Sequence, residues 1–324
     1  MKKLLSHVVL LMLPLLAAAT SALAAYPEKP IRIVAPYGPG GSSDLIARAI
    51  SDQLSAALGQ PVIVENRAGA GSMIGTAYVA SEPADGYTLL VADVPFTIVP
   101  ALYGARVKYD ARKDFAPVSL LGVSPMYLFV SSASPAQSLQ ALLAAAKSKP
   151  GTVSIGSGGN GSLTHLMAEL FMLNAGTQLV HVPYKSAGAS ITDLAGGQVQ
   201  ASFSSMPSAA AMYQAGRIKP IAVSSPQRQP DTPDVPTFSE SGLPGLVMQS
   251  WWGLLAPAGT PQPVLDKLRA AMPTVLQSAP VRQRLSSIGL DVPARTEAGA
   301  LQEYMTADFA RWEDVIKRAN IRLD

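Results

Sequence analysis

Residues 31–44 read Ile31-Arg32-Ile33-Val34-Ala35-Pro36-Tyr37-Gly38-Pro39-Gly40-Gly41-Ser42-Ser43-Asp44. The run from Ile31 to Ala35 is short and β-branched, and it stops in a cluster of Gly and Pro. Beyond the cluster Leu45, Ile46, Ala49, Ile50, Leu54 and Leu58 recur at helical spacing until Gly59 stops the pattern. A strand that ends in glycines and feeds a helix opens a β-α-β unit. Its continuation follows directly: Pro61 to Glu65 is a second apolar run, Ser72 to Ala80 reads as a helix, and Tyr87 to Ala92 is a third strand. Such alternation builds a parallel sheet with helices on its faces.

The same grammar restarts at Val153-Ser154-Ile155. A Gly-rich turn follows, then a helix from Leu163 to Leu173, a strand at Leu179 to Val182, a helix near Ile191 to Leu194 and a strand at Val199 to Phe203. Two doubly wound units therefore follow one another. Between them lies the extended run Met126 to Val130, and a comparable one occurs late, at Trp251 to Ala256. Helices from about Pro263 to Leu276, Val281 to Ile288 and Leu301 to Ala319 close the chain and are expected to pack back on the first unit. The expected architecture is α/β and two-lobed, with two doubly wound sheets joined by two hinge strands. Residues 25–125 and 254–324 form the first lobe and 126–253 the second. Ligands of such sheets sit beyond the carboxyl ends of the strands, where the lobes face each other.

Composition removes several function classes. The 324 residues hold no Cys and only 3 His, which excludes thiol catalysis and Cys-ligated metal and argues against any dedicated metal site or cofactor cluster. The net charge is +3, from 25 basic and 22 acidic residues, and setting aside Lys2 and Lys3 leaves +1. With no basic stripe interleaved with aromatics, nucleic acid is not an expected partner. Residues 1–24 read as a secretory signal peptide: a Met1-Lys2-Lys3 start, an apolar stretch from Leu4 to Ala19 broken by Pro14, and an Ala22-Leu23-Ala24 cleavage pattern. The expected product is an exported periplasmic protein, monomeric, starting near Ala25.

Three strand-to-helix loops point at the crevice. The first runs from Tyr37 through Pro39, Gly40, Gly41 and Ser42 to Asp44. Its glycines leave N–H groups accessible, with a helix start behind them, which suits an anion. Asp44 is expected to serve the helix, as a first-turn acid spaced i,i+4 from Arg48. The second, Gly156-Ser157-Gly158-Gly159-Asn160-Gly161-Ser162, fulfils G-x-G-x-x-G, yet no acid ends the next strand and the loop lies in the second unit, so a dinucleotide is not expected. Capture of a small anion by Ser157, Ser162 and the loop amides remains. His165, on the first helical turn, should be neutral beside the positive end of the dipole, either bonding a ligand or packing. The third loop, Tyr184-Lys185-Ser186-Ala187-Gly188-Ala189-Ser190, contributes Lys185, the one cation in these turns. Pro95 and Phe96 are expected to supply an apolar wall, and Ser204 and Ser205 hydroxyls.

Catalysis finds little support. The loops hold no G-x-S-x-G, no H-E-x-x-H and no close carboxylate pair. Ser157 or Ser162 could pair with His165 or His181, but no acid is placed to orient the imidazole. A secreted α/β hydrolase or transferase acting on a carboxylate, and a ligand-sensing partner of a membrane histidine kinase, stand as the alternative readings.

At these residues the chain resembles the extracytoplasmic solute-binding receptors of the tripartite tricarboxylate transporter system, the Bug (TctC-like) family. The stretches that carry the likeness are YPEKPIRIVAPYGPGGSSDLIAR from Tyr26, LGQPVIVENRAGAGSMIGTAYVA from Leu58, DGYTLLVAD from Asp85 and YDARKDFAPVSLL from Tyr109. HVPYKSAGASITDLAGGQV from His181, DVPTFSESGLPG from Asp234 and WWGLLAPAGTP from Trp251 complete them. The resemblance implies a type II periplasmic-binding-protein fold without enzymatic activity. It also implies a small carboxylate gripped by the first and second loops through backbone N–H groups and bridging waters, and membrane permease subunits as partners. Val99, Ser186 and Ala189 depart from the family pattern at positions expected toward the far end of the ligand. Aromatic, dicarboxylic and amino acids are all compatible with these loops. Asn66 and Arg67 are read as structural.

Overall fold

The computed structural model describes residues 26–318, 320 and 321; the expected signal segment 1–24 lies outside them. Among the described residues, β1 (Ile31–Ala35) pairs in parallel with β2 (Val62–Asn66) on one side and β3 (Thr88–Asp93) on the other. Beside β3, and antiparallel to it, runs β9 (Gln249–Pro257), which also pairs with β4 (Phe115–Ser131). The first sheet is thus β2-β1-β3-β9-β4.

β4 belongs to both sheets. From Phe115 to Pro125 it pairs with β9, and from Met126 to Ser131 with β7 (Ala201–Ser205) and β8 (Ile218–Val223). The second sheet continues from β7 to β5 (Ser154–Ser157) and β6 (Val180–Pro183), all three parallel. The change of sheet on β4 falls between Pro125 and Met126. On the return strand, by contrast, Trp251, Trp252 and Gly253 hydrogen-bond within the first sheet.

Helices cover both sheets as binary patterning demands. α1 (Ser42–Leu58) lays Ile46, Ile50 and Leu54 on the face that carries Ile31, Ile33, Leu89 and Val91. It ends at Gly59 in the left-handed region, φ 74°, as the sequence requires. α2 (Met73–Ser81), α3 (Pro95–Tyr103) and α10 (Ala298–Arg318) serve the opposite face, while α8 (Gln262–Gln277) and α9 (Ala279–Ser287) join α1. α5 (Leu163–Ala175), α6 (Ala187–Ala195) and α7 (Met206–Gln214) follow β5, β6 and β7, and α4 (Leu139–Ser148) precedes β5.

The closing helices do return to the first sheet. On α10, Asp308 accepts from Trp251 Nε1 at 2.7 Å, and Trp312 is fully buried. One expectation is corrected here: Phe96 does not wall the crevice. Val94 to Thr97 is the start of α3, and the Phe96 ring is buried against Tyr109, Phe115 and Phe309, with Pro95 buried beside it. A buried aromatic finds more apolar surface in that cluster than at a wet cleft.

Candidate functional site

β1, β3, β5, β6 and β7 each deliver their carboxyl end to a helix start, so the expected loops lie where the two sheets face each other across the switch on β4. In the first loop Gly40 takes φ 78°, open to glycine without strain, and its N–H donates to Asp44 Oδ2 at 2.9 Å. Asp44 is 2% exposed and its Oδ1 accepts from Arg48 Nε at 2.9 Å and Asn66 Nδ2 at 3.0 Å. Asn66 Nδ2 also donates to the Tyr37 carbonyl at 3.0 Å. Asp44 and Asn66 therefore brace the loop from behind, while Arg67 bonds Glu65 and lies 3.4 Å over the Tyr78 ring. At the front, Gly41 caps α1 without any side-chain hydrogen bond, which leaves the first-turn N–H groups without an intrahelical acceptor.

The second loop satisfies itself. Gly158 N–H donates to Thr164 Oγ1 at 2.8 Å, Gly159 N–H to Ser157 Oγ at 3.1 Å and Gly161 N–H to His165 Nδ1 at 3.2 Å. Ser162 Oγ accepts the His165 N–H as the cap of α5 and lies 3.0 Å from Thr164 Oγ1. Ser157 is fully buried and its Oγ sits 2.6 Å from His181 Nε2. The Ser157 and Ser162 hydroxyls, expected as anion donors, thus serve first as acceptors for loop amides that burial would otherwise leave unpaired. Asn160 stands exposed at the tip.

Behind this loop the His165 and His181 rings stack at 4.1 Å and 19°. Because His165 Nδ1 is an acceptor, the proton of the neutral ring sits on Nε2, which faces Glu169 Oε1 at 3.5 Å. Burial, and then the facing His165 imidazole, pulls the His181 pKa down to about 4. His165 therefore packs and braces. The Ser157–His181 contact resembles a nucleophile and its base, but Ser157 is closed to solvent and the nearby carboxylate meets His165 rather than His181.

The third loop leans on the second: Tyr184 N–H donates to Ser157 O at 3.0 Å, and a Cβ on Gly158 would lie 2.9 Å from the Ala187 nitrogen. Ala187 and Gly188 make the first turn of α6, capped by Ser186, and Lys185 is exposed. Ser204 and Ser205 are buried at the end of β7; Ser204 Oγ donates to the Ser205 carbonyl, and Ser205 begins α7 with no side-chain cap. The α1 and α7 starts, neither of which has a side-chain cap, belong to different sheets and meet: Ser42 Oγ lies 2.9 Å from Ser208 Oγ.

Sequence reasoning passed over Ser208, Thr164 and Asp93. Thr164 had a readable signal, a second hydroxyl within the first turn of a helix. Asp93 had one too, as an acid ending a strand at the crevice edge. Among the described residues no His, Asp or Glu cluster forms a metal site, and no helix is long and apolar enough to cross a membrane. A groove of about 570 Å³ between the C-terminal parts of α3 and α10, lined by Tyr109, Arg112, Phe309 and Lys317, lies at the opposite end of α3 from the strand edge.

Comparison with known proteins gives the family and the fold. A family model described as "Tripartite tricarboxylate transporter family receptor" matches residues 46–321. The Bordetella pertussis protein BugT is 35% identical over 300 residues, covering 92% of this chain and 91% of BugT. Among solved structures, the periplasmic binding protein BugD is 32% identical with a TM-score of 0.85, over 92% of this chain and 99% of BugD. A Rhodopseudomonas palustris protein with adipate is 33% identical, TM-score 0.86, over 92% of this chain and 99% of that one. MatC from the same organism, with bound malate, is 31% identical, TM-score 0.83, over 90% of this chain and all of MatC. These are binding proteins rather than enzymes, and they share the two-lobed α/β fold read from the strand order. With its family model spanning most of the chain and BugT matched over about nine-tenths of both chains, this protein belongs to the tripartite tricarboxylate transporter family of receptors.

Proposed function

We propose that this protein is a periplasmic receptor that closes two lobes on a small carboxylate and delivers it to the permease subunits of a tripartite membrane transporter. The observation that carries this reading is the meeting of the uncapped α1 and α7 starts across the crevice, with the glycine-built second loop beside them. Helix starts of this kind bind anions by fixed dipoles, with little cost of reorganisation. Relatives with adipate and with malate support the ligand class.

The ligand lies against Tyr37, Pro39, Gly40, Gly41 and Ser42 on the first lobe. On the second it meets the loop from Gly158 to Ser162, residues Tyr184 to Gly188 and Ser205, with the fully buried Ser157 and Ser204 supporting these contacts from behind. The lobes divide on β4 near residue 125 and just before β9, near residue 248. The chain acts as a monomer after residues 1–24 are removed on export.

Native mass spectrometry of the protein purified from the periplasm tests the proposal. The expected spectrum shows one protomer carrying a carboxylic acid that dissociates unchanged on activation. A ligand without a carboxylate, or turnover of the captured acid, would contradict it.

A further inference from the structure

Asp93 is the last residue of β3, directly opposite Trp252 on β9. Strand alternation places it on the face that carries Leu89 and Val91 beneath α1, the side from which the first loop arrives. Tyr37, in that loop, donates its hydroxyl to Asp93 Oδ1 at 3.1 Å. Among the described residues no Lys or Arg nitrogen contacts the carboxyl; the titratable groups facing it are Tyr37, from the loop after β1, and Tyr109, from the segment ahead of β4. A neutral phenol is thus its one strong side-chain donor. Burial pushes the Asp93 pKa up to about 7, against the lowering effect of the Tyr37 bond, and burial together with the Asp93 charge lifts the Tyr37 phenol well above its ordinary value.

A half-buried carboxylate with no cation beside it loses hydration without compensation, and a bound partner of opposite charge makes up for it. The first loop already offers amides to an anion, so an acid beside it would oppose a ligand that is anionic at both ends. We propose that Asp93 is the second pole of the crevice, and that the ligand carries a cationic nitrogen, an ammonium group, as well as the carboxylate held by the helix starts. This rests on the carboxylate-receptor reading and narrows it to zwitterionic acids.

The sign of proton linkage separates the possibilities. Near pH 7 an ammonium favours ionised Asp93, so binding releases a proton; a second ligand carboxylate favours the protonated form, so binding takes one up. The test is titration calorimetry of the exported protein at pH 7, in two buffers of different ionisation enthalpy. The probes are matched acids: adipate against 2-aminoadipate, succinate against aspartate, and hexanoate against 6-aminohexanoate.

The expected result is that an aminated probe binds at least tenfold more tightly than its unaminated partner and releases protons, and that Asp93→Asn narrows the ratio below threefold. Equal or tighter binding of the unaminated partner with proton uptake, or an Asp93→Asn variant that keeps the preference, would overturn the role of Asp93 and leave the carboxylate reading standing. If no probe of either kind binds, the carboxylate reading itself fails. Should Asp93→Asn not unfold cooperatively, the sign of proton exchange in the unaltered protein decides.

Discussion

The first and second loops perform one task with opposite chemistry. The first is held by charge: Asp44, nearly closed to solvent, gathers the Gly40 amide, Arg48 and Asn66. The second is held by neutral groups: the Thr164 and Ser157 hydroxyls and the His165 ring take up loop amides one by one, and His181 stacks on His165 and bonds Ser157. In both, a glycine-rich turn keeps main-chain N–H groups near a helix start. A braced helix start can thus be built from an ionised or an uncharged network, and the two differ in how they fail.

The largest expected effect comes from breaking the charged brace. Asp44→Ala leaves Asn66 and the Gly40 amide without their buried acceptor and frees the exposed Arg48, and should lower unfolding free energy by about 2 kcal/mol, since hydrogen bonds to a charged group contribute roughly 1.5 to 3 kcal/mol. Urea denaturation checks it; a loss below 1 kcal/mol would mean that the brace is dispensable. Second in size is Gly159→Ala. Gly159 has φ 112° and its Cβ would lie 2.9 Å from the Tyr184 carbonyl, so the second and third loops must part. Carboxylate affinity should fall more than tenfold, about 1.4 kcal/mol, with cooperative unfolding retained.

The neutral brace is weaker and answers to acid. The His181 pKa lies near 4 in the folded protein, below its ordinary 6.5, so the unfolded chain binds the proton more readily between those values. Its contribution to stability is present above about pH 6.5 and is lost as pH falls toward 4. His181→Phe keeps a ring against His165 but loses the Ser157 bond. It should cost about 1 kcal/mol at pH 7, and its thermal melts should depend less on pH between 6.5 and 4 than those of the parent. The smallest effect belongs to Lys185→Met. The side chain is exposed and should change affinity by less than about 1 kcal/mol, and by less than Ser157→Ala combined with Ser162→Ala. Abolished binding in Lys185→Met with a silent double Ser variant would make Lys185 the anchor instead of the amides.

Much of this was legible in the sequence because it rests on periodicity. β1 matches the expected span, and α1 with its Gly59 stop and the alternation of strands and helices in both units follow from apolar spacing and glycine placement. α3 was missed because its Val94-Pro95-Phe96-Thr97 start reads equally well as a loop, and only the aromatic cluster around Phe96 decides. α4, α7 and β8 are short and were passed over, although Pro150-Gly151 after α4 and Gly216 between α7 and β8 mark their ends. At the site, the loops and the Asp44–Arg48 spacing were readable. What was not readable is direction: the sequence shows hydroxyls in a loop, but whether Ser157 turns toward a ligand or toward His181 depends on a neighbour 24 residues away in the chain.

The central claim is that amides from both sheets converge on one carboxylate. The most direct measurement is an amide ¹H–¹⁵N titration with the acid that co-purifies with the protein. Signals of Ser42 and Ser43, of Asn160 to Thr164, and of the α7 start near Ser208 should shift together with a single dissociation constant. Shifts confined to one loop, or to the groove lined by Arg112 and Lys317, would contradict it.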